Sequence, residues 1–137
     1  MTKTRPNDWF FFAESDLKLA KEAVEEAIYH LACFHAQQAV EKLLKAVLAA
    51  HHQPIPKIHS VRELYTRVIP FLPPLAQYSE RLIVLDQYYI PTRYPDALPG
   101  SLPEGLPTEV HAHEAVKDAE DLSIFIHESL SASHSTT

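Results

Sequence analysis

Two glycines and a single cysteine in 137 residues set the first limits on this chain. Glycine supplies the left-handed backbone of tight turns, so its scarcity argues against a hairpin-rich sheet and for helices. Cys33 has no partner within the chain, which excludes an internal disulfide. No apolar run approaches the roughly 20 residues that span a bilayer, and no basic segment leads into a long apolar one; no membrane association and a cytoplasmic location are the expectation. A glycine-rich phosphate loop and the strand that would precede it are also missing, which sets aside a P-loop NTPase. The formal charge of −6 provides no broad basic field, so general DNA binding is not expected. Net charge does not govern a single groove, however. Arg62, Arg67, Arg81 and Arg93 leave room for a local site that holds a nucleotide or an RNA loop.

Apolar residues make up 46% of the chain and charged residues 22%, the usage of an ordinary globular domain, and the length suits one hydrophobic core. Most of the eleven prolines fall between Pro54 and Pro107, so they punctuate the middle and leave both ends free for long helices. The pattern predicts a 1–7 extension, a helical domain over 8–130 and a flexible 131–137 tail.

Five helices follow from periodicity. Asp8 caps the first, whose stripe is Trp9, Ala13, Leu17, Ala20, Val24 and Ala27. The second runs from about Tyr29 to Ala50; its stripe of Ala32, Ala36, Ala39, Leu43, Val47 and Ala50 is widened by Phe34, Val40, Leu44 and Leu48, which marks a central helix packed on more than one side. Pro54 and Pro56 break the helix, and residues 51–59 are expected to cross the end of the bundle. Ser60 and Glu63 form a capping box that opens a third helix, with Leu64, Val68 and Phe71 on its buried side. A fourth helix starts near Leu75 and ends before Pro91; Thr108 and Glu109 begin the last, with Ala115, Ala119, Leu122, Ile126 and Leu130 as its stripe. The connection 91–107, with five prolines and both glycines, is long enough to suggest a functional loop.

Three segments carry a family resemblance: residues 34–46 (FHAQQAVEKLLKA), 59–64 (HSVREL) and 93–96 (RYPD). In this order they resemble the HEPN domain, in the branch associated with minimal nucleotidyltransferases. The resemblance implies an all-α, up-and-down four-helix bundle with a short additional helix. It also implies a homodimer and a role in nucleotide or RNA biology within toxin–antitoxin or defence modules. The family's ribonucleases carry an arginine, then four to six residues, then a histidine. There the histidine exchanges protons with the 2′-hydroxyl or the leaving oxygen while the arginine stabilises phosphate charge. None of Arg5, Arg62, Arg67, Arg81 or Arg93 has a histidine at that distance; the first after Arg93 is His111.

The residues therefore favour a binding role. Arg93, Tyr94 and Asp96 are the principal candidates for holding a nucleotide or a protein partner, Arg93 through a phosphate and Asp96 through a ribose or a cation; the alternative is a loop in which they merely order the turn. His59 and Glu41 join them as secondary candidates, against simpler roles in ordering the turn into Ser60 and in a polar seam with Gln37, Gln38 and Lys45 between helices or subunits. His111, His113 and Glu114 offer only an incomplete ligand set and read as solvated first-turn residues; no metal and no cofactor are expected. Cys33, His30 and His35 read as packing or surface residues. The expectation is a nucleotide-binding or interaction partner of a minimal nucleotidyltransferase. The alternatives are a variant metal-independent endoribonuclease built around Arg93 with His59 or His111, and a purely structural helical adaptor.

Overall fold

The computed structural model describes residues 5–89 and 105–135, with side chains to 132. Among these residues there are five α-helices, one 3₁₀ segment and no strand: α1 (Pro6–Glu25), α2 (Tyr29–Ala50), α3 (Val61–Val68), the 3₁₀ segment Pro73–Tyr78, α4 (Ser79–Asp86) and α5 (Glu109–Ser135). The boundaries of α2 coincide with those expected from its stripe. α1 begins two residues before Asp8, because Pro6 fits the first helical position, where its missing N–H costs nothing. Asp8 still works at that end, accepting the Arg5 backbone N–H at 2.9 Å.

Pairwise contacts give the direction of each column. Trp9 of α1 meets Lys45 of α2, and Asp16 meets His35, so the two helices are antiparallel. Phe10 lies 4.2 Å from His127 of α5, and Lys21 pairs with Glu120 at 2.6 Å, so α5 also runs opposite to α1. Tyr78 packs on Phe125, and Arg81 reaches Asp121 at 2.8 Å, which sets α4 antiparallel to α5. The result is an up-and-down bundle of α1, α2, the 3₁₀ segment with α4, and α5, to which α3 is the short addition. α2 touches every other α-helix. Its core side chains Ala32, Ala36, Val40, Leu43, Leu44 and Val47 are almost or wholly inaccessible, as are Leu64, Leu82, Leu85, Ala119, Leu122 and Ile126 on the surrounding elements. Each such leucine contributes about 1.5–3 kcal/mol through burial.

Three expectations for the middle of the chain are corrected. Residues 51–59 do not cross the end of the bundle. They climb back along α2 until the His59 carbonyl accepts the Gln37 side-chain amide at 2.9 Å, a path of about 20 Å beside fourteen helical residues. Pro54 and Pro56 favour such an extended course, and half-buried Ile55 and Ile58 fasten it to the core. Phe71 is exposed rather than buried, since α3 stops at Val68 and leaves it stacked on His51 at 5.0 Å. The fourth helix is split, because Pro73 and Pro74 start a 3₁₀ turn that becomes α-helical only at Ser79. The Ser60 cap forms, accepting the Glu63 N–H at 3.1 Å, and the same hydroxyl donates to Asp86.

Without glycine at hand, α1 and α2 are both ended by L-residues in the left-handed region, Ala27 (φ 60°) and His52 (φ 56°). Ala27 is therefore exposed in the turn and not part of the stripe of α1. The Ile28 N–H returns to the Ala23 carbonyl at 2.8 Å, and the Gln53 N–H to that of Leu48 at 2.9 Å, the bonding of a Schellman end. A side chain in that region costs about 1–2 kcal/mol. Ala27→Gly should thus stabilise the protein by about 0.5–1 kcal/mol after its own entropy cost, a rise of roughly 2–4 °C in thermal midpoint. Ala20→Gly, inside α1, should lower it by about as much. Calorimetry of the two variants checks both signs.

Candidate functional site

The central helix carries a polar ridge. Gln37, Glu41 and Lys45 recur one turn apart on α2, and all three are buried. Each has a partner. Gln37 holds the His59 carbonyl; Lys45 donates to Glu41 Oε2 at 3.0 Å; Gln38 donates to Glu41 Oε1 at 3.2 Å. The Lys45 ammonium also sits over the Trp9 ring, 5.5 Å from its centroid, so α1 closes one side of the ridge with a cation–π contact.

His59 closes the other side. Its Nδ1 lies 3.3 Å from Glu41 Oε2, and its ring stacks on Tyr89 at 5.0 Å with only 7° between planes. Tyr89 in turn is 6.3 Å from Phe34. Two of the expected site residues, His59 and Glu41, are therefore in contact although 18 positions apart. The carboxylate fixes the imidazole so that Nδ1 faces the protein and Nε2 faces outward on a ring whose side chain is 55% exposed. Such a histidine can donate a hydrogen bond to a phosphate or exchange a proton with a bound hydroxyl. Arg93, Tyr94 and Asp96 lie outside the described residues; in sequence they follow Tyr89 closely.

The remaining candidates separate from this group. Arg81 is committed to α5 through Asp121 at 2.8 Å and Asp118 at 3.6 Å, and Arg62 and Arg67 are exposed on α3. His111 accepts the Thr108 N–H at 3.0 Å and so orders the start of α5, while His113 faces Glu109 at 3.6 Å. No group of three or more His, Cys, Asp or Glu side chains able to hold a metal occurs among the described residues. Burial pushes the Cys33 thiol up to about 12, against a weaker lowering from its hydrogen bond with Tyr88, which leaves no thiolate at neutral pH. Native protein should therefore resist a disulfide reagent at pH 8 and release one thiol equivalent only on denaturation; rapid reaction in the native state would contradict this burial.

A second cluster was not expected. Asp16, buried on the inner side of α1, accepts from His35 Nδ1 at 2.9 Å and from the Lys42 ammonium, two groups seven residues apart on α2. The signal was an acid standing between the stripe residues Ala13 and Ala20. Burial alone would raise the Asp16 carboxyl, but the hydrogen bonds and charges of His35 and Lys42 outweigh it and hold the group below its ordinary 3.8. Its contribution to stability is fully present above that unfolded value and is lost as pH falls through the lowered folded value. Asp16→Asn should cost about 1–3 kcal/mol at pH 7 and flatten the acid limb of a urea stability profile between roughly pH 5 and 2. An unchanged acid limb would assign that limb to other carboxylates.

The comparisons with known proteins agree with this architecture. The sequence profile described as HEPN domain matches residues 6–129. The chain is 32% identical over 119 residues to the protein named "Putative toxin MJ1304" of Methanocaldococcus jannaschii, covering 80% of this chain and 78% of that one. Among solved structures, TT1696 of Thermus thermophilus superposes with a TM-score of 0.80 at 34% identity, covering 92% of this chain and 98% of that one. ST0689, described as an archaeal HEPN homologue, gives 0.74 at 31% identity, covering 93% and 99%. No helix among the described residues is long and apolar enough to cross a membrane. By sequence and by fold, this chain belongs to the HEPN domain family.

Proposed function

We propose that the protein is a homodimeric, cytoplasmic HEPN partner of a minimal nucleotidyltransferase, binding a nucleotide or that partner within a toxin–antitoxin or defence module. The observation that carries the reading is the His59 ring, oriented by Glu41 and stacked on Tyr89, with Arg93, Tyr94 and Asp96 just beyond Tyr89 in the chain. A cationic guanidinium, an outward imidazole Nε2 and an aromatic face are the donor set that a phosphorylated, base-bearing ligand requires. The ridge beneath His59 holds its ring in place, because Glu41 is itself locked by Lys45 and Gln38.

A second reading, metal-independent RNA cleavage, draws support from the name of the Methanocaldococcus relative and from the carboxylate-held His59. It makes Arg93 the phosphate-stabilising group and His59 the proton carrier, since His111 is engaged by Thr108.

One experiment separates the two. Calorimetric titration of wild type and Arg93→Ala with a nucleotide panel and with a purified minimal nucleotidyltransferase, run beside an RNA integrity assay, should show binding that falls about tenfold or more in the variant, with RNA intact. Equal affinity in a folded Arg93→Ala protein rejects the site. Cleavage that depends on Arg93 and His59, without nucleotide binding, makes the enzyme reading primary.

A further inference from the structure

At the end of the bundle where α1 begins and α2 and α5 finish, a groove of about 630 Å³ opens, away from His59. Phe10 and Phe11 form its aromatic wall, and Glu14, His127 and His52 its ionisable lining; among the described residues no lysine or arginine lines it. The chemistry of its two central polar groups is defined by their neighbours. His127 Nδ1 is 2.8 Å from the Ser123 carbonyl, which can only accept, so Nδ1 donates there and the lone pair of the unprotonated ring stands on Nε2. Glu14 Oε1, another acceptor, faces that Nε2 at 3.6 Å. That distance is too long for a hydrogen bond between them and short enough for one nitrogen donor to stand about 2.9 Å from both.

The backbone adds net charge of the same sign, because the positive end of α1 at Pro6 and Asn7 is offset by Asp8 in its first turn. Ala49 and Ala50 bring the C-terminal end of α2 to the groove, where aligned peptide dipoles leave a partial negative charge, and α2 has no basic residue in its last turn to offset it. The exposed ring of Phe11 and the ring of Phe10, already packed on His127, offer faces that attract cations. A phosphate or carboxylate ligand would meet repulsion from Glu14 and from the helix end alike.

We propose that this groove is a binding site for a small organic cation, an ammonium on an apolar or aromatic stem. Glu14 and His127 take its N–H groups, and Phe10 and Phe11 cover the stem. The site is independent of the nucleotide or partner site at His59, and its volume lies within the range of pockets that enclose small molecules.

The test uses a charge-reversed pair of probes, phenethylammonium and phenylacetate, titrated into full-length protein and followed through the His127 ring signals by NMR. Phenethylammonium should give saturable shifts below about 10 mM, phenylacetate should bind about tenfold more weakly or not at all, and Glu14→Gln should weaken the cation about fivefold or more. Glu14 is exposed, so its replacement leaves the fold intact; Glu22→Gln, on the same helix outside the groove, is the control and should change nothing. Equal binding of the two probes, an unchanged affinity in Glu14→Gln, or no saturation with phenethylammonium would each overturn the assignment.

Discussion

The hydrogen bond from the buried Gln37 amide to the His59 carbonyl is the constraint on which the middle of this protein depends. Beyond the end of α2 closed by Gln53, residues 54–59 form neither helix nor strand, so their backbone groups cannot satisfy one another and must be met by side chains or water. A central helix made only of leucine and alanine would leave such a segment without polar partners. Gln37 provides one for the His59 carbonyl and Glu41, held by Lys45, meets the His59 ring, so the segment ends with His59 above Glu41 and Ser60 ready to cap α3. Burying that polar line carries a desolvation cost, which is offset because every member is bonded. The same bonds that fix the course of the chain also orient the imidazole. Fold and site share one set of atoms.

The helices were legible because amphipathic stripes of three and four spacings leave few alternatives, and the width of the stripe on α2 identified it as central. What sequence could not supply was the third dimension of polar residues. Glu41 and His59 were both singled out, yet nothing in their spacing stated that they touch, since that depends on a nine-residue climb whose direction proline does not encode. Asp16 was passed over because an acid on an alanine-rich helix reads as solvated until its two cations are known to come from another helix. Phe71 was misplaced for the opposite reason. Periodicity alone carried α3 one turn too far, and the early end at Val68 turned the ring outward.

Tyr89 shows how the site and the family pattern meet. It ends the described part of the fourth column and is held against His59 and Phe34, so it stands at the junction between a rigid scaffold and the residues 93–96 that first drew attention in the sequence. Membership of the HEPN family fixes the bundle, whereas the missing spaced arginine and histidine separate this chain from the family's usual ribonuclease pattern.

The three-residue join between α1 and α2 also has a kinetic consequence. The most extensive packing in the bundle lies between these two helices, and closing so short a connection costs little chain entropy, so their hairpin is the element that local contacts favour first. His59 reaches Glu41, and Tyr89 reaches His59, only after the climb along α2 and the docking of α3 and α4, which are longer-range events. An oriented His59 is therefore among the last features to form, and the order of that ring reports that the whole bundle, not merely its first hairpin, has folded.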